Sequence, residues 1–189
     1  WSPDGQSLLY YYSRPVGGRR GVVVSSDGGR STRSIEFDVS IQGWGGPTWT
    51  ADSREVLVLG RVTGSSAFFR LTVESGRVQQ LTPPIQPAPS PAASMSVIPL
   101  AMARDASVFY KQVNHLDSRR QLQEVSLWAQ DVATGAETQI FKSDQRTGVY
   151  VGPLSHDGRW LPLGLNPFAT DPAAGPQRKP SIVLVPVAG

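Results

Sequence analysis

A short motif recurs four times along this chain, and its period limits what the chain can fold into. Trp1-Ser-Pro-Asp-Gly5 is followed by Trp49-Thr-Ala-Asp-Ser53, then by Ala103-Arg-Asp-Ala106, and then by Leu154-Ser-His-Asp-Gly158. The motif aspartates Asp4, Asp52, Asp105 and Asp157 stand 48, 53 and 52 residues apart. Each motif is followed by two β-rich runs and a glycine turn. The pairs of runs are Leu8–Tyr12 with Gly21–Ser25, Val56–Leu59 with Phe68–Val73, Val108–Tyr110 with Val125–Val132, and Trp160–Leu165 with Ile182–Val187. The glycine turns are Asp27-Gly28, Glu74-Ser75-Gly76, Thr134-Gly135 and Gly189. A β-rich unit of this period reads as the blades of a β-propeller.

Each blade is then an antiparallel meander of strands A to D. The Asp-Gly motif makes the A–B turn and the second glycine makes the C–D turn. Asp accepts a hydrogen bond from a backbone N–H two residues on, and Gly supplies a positive φ at low cost. Asp4, Gly5, Asp52, Asp105, Asp157 and Gly158 are therefore assigned to blade turns. Trp1 and Trp49, just before the turn, are expected to pack between blades. Ser53 and Ala106 stand where Gly is expected, and the third motif reads as one residue short. A looser third turn, without a left-handed residue, is the expectation there. The blades run approximately 1–44, 45–96, 97–148 and 149–189. Asn114–Gln123 and Asn166–Pro180 read as loop insertions between strands B and C, and Pro83–Pro99 as a long D–A connection. The first blade lacks strand A and the fourth lacks strand D, giving 14 strands. The fold class is all-β: about four consecutive blades of a larger propeller of six to eight. Open sheet edges template association, so the isolated chain is expected to aggregate or to borrow strands from another molecule.

Composition agrees. Gly 19 and Pro 16 suit a turn-rich β protein. At 39% apolar and 8% aromatic the chain is not compositionally disordered. No apolar run is long enough to span a membrane as a helix. Cysteine is absent, which excludes disulfides and thiolate metal sites. A net charge of +3 is too small to argue for nucleic acid, and aromatic and basic residues are not interleaved as a stacking platform. The aromatics fall instead at expected blade-core positions such as Phe68, Trp128 and Trp160.

Trp1-Ser-Pro-Asp-Gly5-Gln-Ser-Leu8 and Ser75-Gly76-Arg-Val-Gln-Gln-Leu81-Thr82 resemble the repeat signatures of TolB-like, WD-like bacterial propellers. Thr134-Gly135-Ala-Glu-Thr-Gln-Ile140 resembles the second signature in part. The resemblance implies the fold over essentially the whole chain, and a periplasmic or other extracytoplasmic setting. It implies no single activity. Such propellers include protein-binding scaffolds, sensory domains, and the propellers that precede prolyl-oligopeptidase-type hydrolases.

No catalytic residue, cofactor site or metal site is assigned. Ser155-His156-Asp157 cannot form a triad, because three consecutive turn residues cannot build its hydrogen-bond chain. No Gly-x-Ser-x-Gly elbow occurs. His115 and His156 lie on different loops, and the alternating-Asp loop that calcium favours is missing. Gly43-Trp-Gly-Gly46 lacks the helix that follows a phosphate loop. A propeller binding a sugar or metabolite in its channel would need polar groups on Gly45–Trp49, Val97–Ala103 and Val149–Leu154, which offer few.

One surface is distinctive. In a meander the B–C and D–A connections share one face, and all the long insertions belong to it. That face collects Arg14, Arg19, Arg20, Arg119, Arg120, Lys142, Arg146, Arg178 and Lys179, against Asp117, Asp144 and Asp171. Variable loops on a rigid scaffold are where binding sits, and a clustered positive field suits an acidic protein or peptide. The expected function is a noncatalytic scaffold for protein or peptide binding. The alternative is the gating propeller of a prolyl-oligopeptidase-type serine hydrolase whose catalytic domain lies outside this chain.

Overall fold

The computed structural model describes residues 1–13, 20–26, 31–35, 40–41, 47–62, 65–85, 95–119, 121–143, 147–155, 157–167 and 180–187. Among these residues every regular element is a strand, and all strand pairs are antiparallel. No helix among the described residues is long and apolar enough to cross a membrane.

The strands form four sheets. The first holds β1 (Leu8–Ser13), β2 (Arg20–Ser26) and β3 (Ser31–Ile35) in that order. In the second, β6 (Glu55–Val62) pairs on one side with both β4 (Ser40–Ile41) and β5 (Thr48–Trp49). On its other side follow β7 (Ser65–Thr72) and β8 (Val78–Gln80). The third runs β9 (Met95–Met102), β10 (Val108–Leu116), β11 (Leu122–Asp131), β12 (Glu137–Lys142), and the fourth β13 (Thr147–Val151), β14 (Trp160–Pro167), β15 (Ser181–Pro186). These are the meanders anticipated from the repeat. Strand A of the second blade appears in two pieces, β4 and β5.

All three stretches expected to be loops are partly strand, β14 running into Asn166–Pro180 as far as Pro167. β10 and β11 extend through half of Asn114–Gln123, and the Asp117 N–H donates to the Gln121 carbonyl across the turn at 2.9 Å. Apolar Val113 and Leu116 on one strand and Leu122 and Val125 on the other favour extension of the ladder over an irregular loop. Within Pro83–Pro99, residues 86–94 lie outside the described residues, and β9 already begins at Met95. Pro99 is tolerated inside β9 because β9 is an edge strand and the register shifts beside it, between Tyr110 and Lys111.

The chain divides into two compact units, Trp1–Ile85 with Arg104–Ser107, and Gln86–Ala103 with Val108–Gly189. The core of the first joins the facing sides of the first two sheets: Val24, Trp49, Val56, Val58, Ala67, Phe69 and Leu71, with Leu9 and Val73 against them. The core of the second is built from Leu100, Ala101, Tyr110 and Leu127 of the third sheet and Leu161, Leu163 and Val185 of the fourth, with Val187. Successive side chains in a strand point to opposite faces, so Val56 and Val58 enter the first core while Leu57 and Leu59 lie on the other face, also buried. Burying one such side chain contributes about 1.5–3 kcal/mol.

The aromatic expectations divide. Trp49 and Phe68 are buried. Trp1 is 77% exposed, Trp160 is exposed and Trp128 is only partly buried. Trp49 belongs to β5 and is carried into the core by its pairing with Val56. Trp1 precedes the first turn and pairs with no described strand. Trp160 alternates with the buried Leu161 and therefore points away from the core.

Truncating Leu163, fully buried at the centre of the second core, is expected to cost about 2–5 kcal/mol through lost burial and the cavity left behind. Urea unfolding of Leu163→Ala beside the parent chain measures this.

Candidate functional site

The four motif aspartates have one chemical task. In the first turn the Ser2 hydroxyl donates to Asp4 Oδ1 at 2.5 Å, and the Gln6 N–H donates to the same oxygen at 3.0 Å. The Ser2 oxygen in turn accepts the Ser7 N–H at 2.9 Å. The second turn repeats this with Thr50, Asp52, Arg54 and Glu55: Thr50 to Asp52 at 2.6 Å, Arg54 N–H to Asp52 at 3.1 Å, Glu55 N–H to Thr50 at 3.1 Å. The fourth repeats it with Ser155, Asp157, Arg159 and Trp160. One hydroxyl and one carboxylate thus satisfy two backbone donors that the turn would otherwise leave open.

The third turn is neither shortened nor loose. The Ala103 N–H donates to the Val108 carbonyl at 2.8 Å, as Ser2 does to Ser7 at 2.8 Å and Thr50 to Glu55 at 3.0 Å. Ala103 therefore occupies the place of Ser2, and Met102 that of Trp1. The missing hydroxyl is replaced from the other side, where Ser107 donates to Asp105 Oδ1 through both its N–H, at 2.9 Å, and its hydroxyl, at 2.7 Å. The left-handed residue is present in all four turns: Gly5 at φ 70°, Ser53 at 62°, Ala106 at 62° and Gly158 at 72°. The hairpin geometry demands that conformation whichever residue stands there. Ser53 gains an offset, since the Asp4 N–H donates to its Oγ at 3.1 Å, tying the second turn to the first.

These bonds favour the ionised carboxylates. Asp4, Asp52 and Asp157 are held below the usual Asp value of 3.8, first by the hydroxyl of Ser2, Thr50 or Ser155 and then by the N–H two residues on. Ser107 does the same for Asp105. A depressed folded value means that whatever stability these groups lend is present above pH 3.8 and lost as pH falls through the folded values.

The C–D turns behave as anticipated where described. Gly76 and Gly135 adopt φ 69° and 74°. Asp27-Gly28 and Gly189 lie outside the described residues. Asp131 was not singled out from sequence, yet its Oδ1 accepts the Ala133 N–H and both the N–H and hydroxyl of Thr134. These bonds, led by the Thr134 N–H, lower its pKa as well. Its legible signal is Asp followed three residues on by Thr-Gly.

Of the basic residues assigned to the recognition face, Arg119 is described and exposed. It sits at the tip of the β10–β11 hairpin. Asp117 Oδ1 accepts the N–H groups of Arg119 and Gln121, both at 2.8 Å, and Oδ2 accepts Gln123 Nε2 at 2.9 Å. Asp117 is thus the organiser of this turn rather than merely a charge opposing the arginines. No ion pair of Arg119 is found among the described residues. Lys142 is paired with Glu124 at 2.8 Å, so its charge is locally offset. Glu124 also lies 3.9 Å from His115 Nε2. Arg20 opens β2, but its side chain is not described. Arg14, Arg19, Arg120, Arg146, Arg178 and Lys179 lie outside the described residues, as do Asp144, Asp171, His156 and Gly43–Gly46. Among the described residues no group of three or more His, Cys, Asp or Glu could hold a metal ion. The Ser155 hydroxyl is engaged by Asp157 and by the Trp160 N–H within the turn.

No protein-family model matches the sequence, and no curated protein does. Solved structures do resemble the fold. TolB from Acinetobacter baumannii aligns over 98% of this chain and 41% of its own, at 15% identity and a TM-score of 0.58. The β-propeller domain of the Trilobed protease from Pyrococcus furiosus aligns over 98% and 54%, at 16% identity and 0.53. An oligogalacturonate lyase from Vibrio parahaemolyticus aligns over 88% and 44%, at 12% identity and 0.54. The fold is thus that of TolB-like and related β-propellers. The chain spans about half or less of the length of these structures, and the resemblance reaches both a protein named TolB and parts of enzymes.

The two non-glycine left-handed residues make the turns testable. Ala106→Gly is expected to stabilise the chain by up to about 1 kcal/mol, the strain relieved less the added unfolded-state entropy. Ser53→Gly is expected to gain less, because it also removes the bond from the Asp4 N–H. Thermal melts of the two variants beside the parent chain compare them.

Proposed function

We propose that this chain is a noncatalytic propeller scaffold, about four blades of a ring of six to eight, that binds an acidic protein or peptide through its long connections. The observation that carries this reading is the β10–β11 hairpin. Its strands are nine and ten residues long, and its tip is locked by three bonds to Asp117. It therefore presents the exposed Arg119 from a pre-organised turn, which lowers the ordering cost of binding. Arg120 follows it, and Arg146, Arg178 and Lys179 belong to other long connections of the same unit. Arg14, Arg19 and Arg20 belong to the corresponding connection of the first unit. Guanidinium groups suit carboxylates because they donate in a planar fork. The mechanism is surface complementarity with no chemical step.

A second reading is favoured by the likeness to the propeller domain of the Trilobed protease: a propeller gating a hydrolase domain encoded elsewhere in a longer chain. A downstream Gly-x-Ser-x-Gly in the parent gene would select it.

Binding of a fluorescent Glu-rich peptide, measured by anisotropy, tests the first reading. Affinity is expected to fall with added salt, and by at least about tenfold in Arg119→Glu/Arg120→Glu. Unchanged binding in that double variant would remove the argument for the basic loops.

A further inference from the structure

One carboxylate in the third sheet sits between two basic groups. Glu124 of β11 stands directly opposite His115 of β10. Its Oε2 lies 2.8 Å from Lys142 Nζ, and its Oε1 lies 3.9 Å from His115 Nε2. Lys142 belongs to β12 and pairs with Ser126, two residues along β11 from Glu124. Residues two apart in a strand share a face, so three neighbouring strands deliver an imidazole, a carboxylate and an ammonium group to one spot. The side chains of His115 and Glu124 are 39% and 30% exposed, so protons from solvent reach the ring.

The other described charges of β9 to β12 are already placed. β9, on the far side of β10, sets Met95 opposite His115 and holds no charged residue. Lys111, four residues back along β10, is bound by Gln130 and Glu137. Asp131, at the end of β11, caps the C–D turn through Ala133 and Thr134. Past the bulge that follows His115, Asp117 accepts the Arg119 and Gln121 amides and Gln123 Nε2. Glu124 is therefore shared by Lys142 and His115 alone among these groups. With a neutral ring it cancels Lys142. With a protonated ring two cations share one carboxylate, and the trio gains one positive charge. Histidine ordinarily changes charge between about pH 5 and 8. The added charge stands a few residues from the turn that presents Arg119.

We propose that the His115–Glu124–Lys142 trio makes the capture of an acidic peptide by this hairpin responsive to acid. Protonation of His115 draws on Glu124, releases part of the Lys142 charge and strengthens binding. The inference rests on the basic-loop reading of the function and adds its regulation. The direction is set by this chain and not by the partner. Glutamates of the peptide, with an ordinary value of about 4.3, stay ionised near pH 6, and any protons they do take up weaken binding. The charges are solvent-exposed, so the effect is modest and shrinks with added salt.

Anisotropy of the fluorescent Glu-rich peptide on the 189-residue chain, at low salt and at about pH 8 and about pH 6, tests this. Affinity is expected to rise about two- to fivefold at the lower pH, the range of one solvent-exposed charge. His115→Gln is expected to abolish the rise and leave the affinity at the higher pH unchanged. His156→Gln removes the chain's other histidine and is expected to keep the rise. Glu124→Gln is expected to lift the affinity at the higher pH to the parent's lower-pH value, since Lys142 is then no longer offset. Circular dichroism at both pH values confirms that the variants are folded, and His115→Asn replaces His115→Gln if that variant is not. Equal binding by the parent chain at the two pH values, or a rise that survives His115→Gln, overturns this inference and leaves the basic-loop reading standing. So does a Glu124→Gln chain that keeps the parent's affinity at the higher pH. A parent chain that binds the peptide at neither pH overturns both.

Discussion

Each A–B hairpin is closed by one carboxylate accepting the N–H two residues ahead. In the second, third and fourth sheets the strands on either side inherit their register from that closure. A shift of one residue would move Val56 and Val58 out of the first core, or Leu161 and Leu163 out of the second. The turn prevents it by specifying four residues between the hydrogen-bonded ends, in the third copy as in the others. Its aspartates are exposed and look available for chemistry. They are already engaged by hydroxyls and amides of their own turns, which chiefly depress their values, with Arg54 and Arg159 adding to the effect at Asp52 and Asp157.

The third and second turns show how much variation this closure tolerates. Losing the leading hydroxyl at Ala103 is offset by Ser107, on the far side of Asp105. Losing the glycine is tolerated twice, at Ser53 and Ala106, with the left-handed backbone retained. The geometry is imposed by the hairpin as a whole, and the individual residue adapts to it at a cost of about 1–2 kcal/mol. Ser53 shows a second use of the position, since its hydroxyl reaches the Asp4 amide of the preceding turn.

The same division of labour separates scaffold from surface. Residues that repeat in phase are absorbed by turns and cores. Residues out of phase with the repeat, such as the extended β10–β11 hairpin, are free to differ between blades. Asp117 binds the described residues of that hairpin tip together, and Glu124, a few residues from the turn, offsets Lys142, so the exposed charge of the described hairpin is concentrated at Arg119. The proposed binding function rests on such a tip and not on the motif turns, whose polar groups are already engaged.

The sequence alone determined the all-β meander, the four hairpin closures and the blade strands, because turn chemistry and alternation are local and recur at a fixed spacing. It also showed that Asp4, Asp52, Asp105 and Asp157 serve turns. It could not tell that Ala103 fills the place of Ser2, because the compensating hydroxyl of Ser107 comes from outside the motif pattern. Nor could it tell that Trp49 is buried while Trp1 and Trp160 are exposed, since burial depends on which sheet faces which. The sequence marks Arg119 for the proposed basic face, but the roles of Asp117 and Glu124 follow from hydrogen bonds and ion pairs across strands. Those pairings exist only once the hairpin has folded, and they decided which charges are offset and which remain exposed.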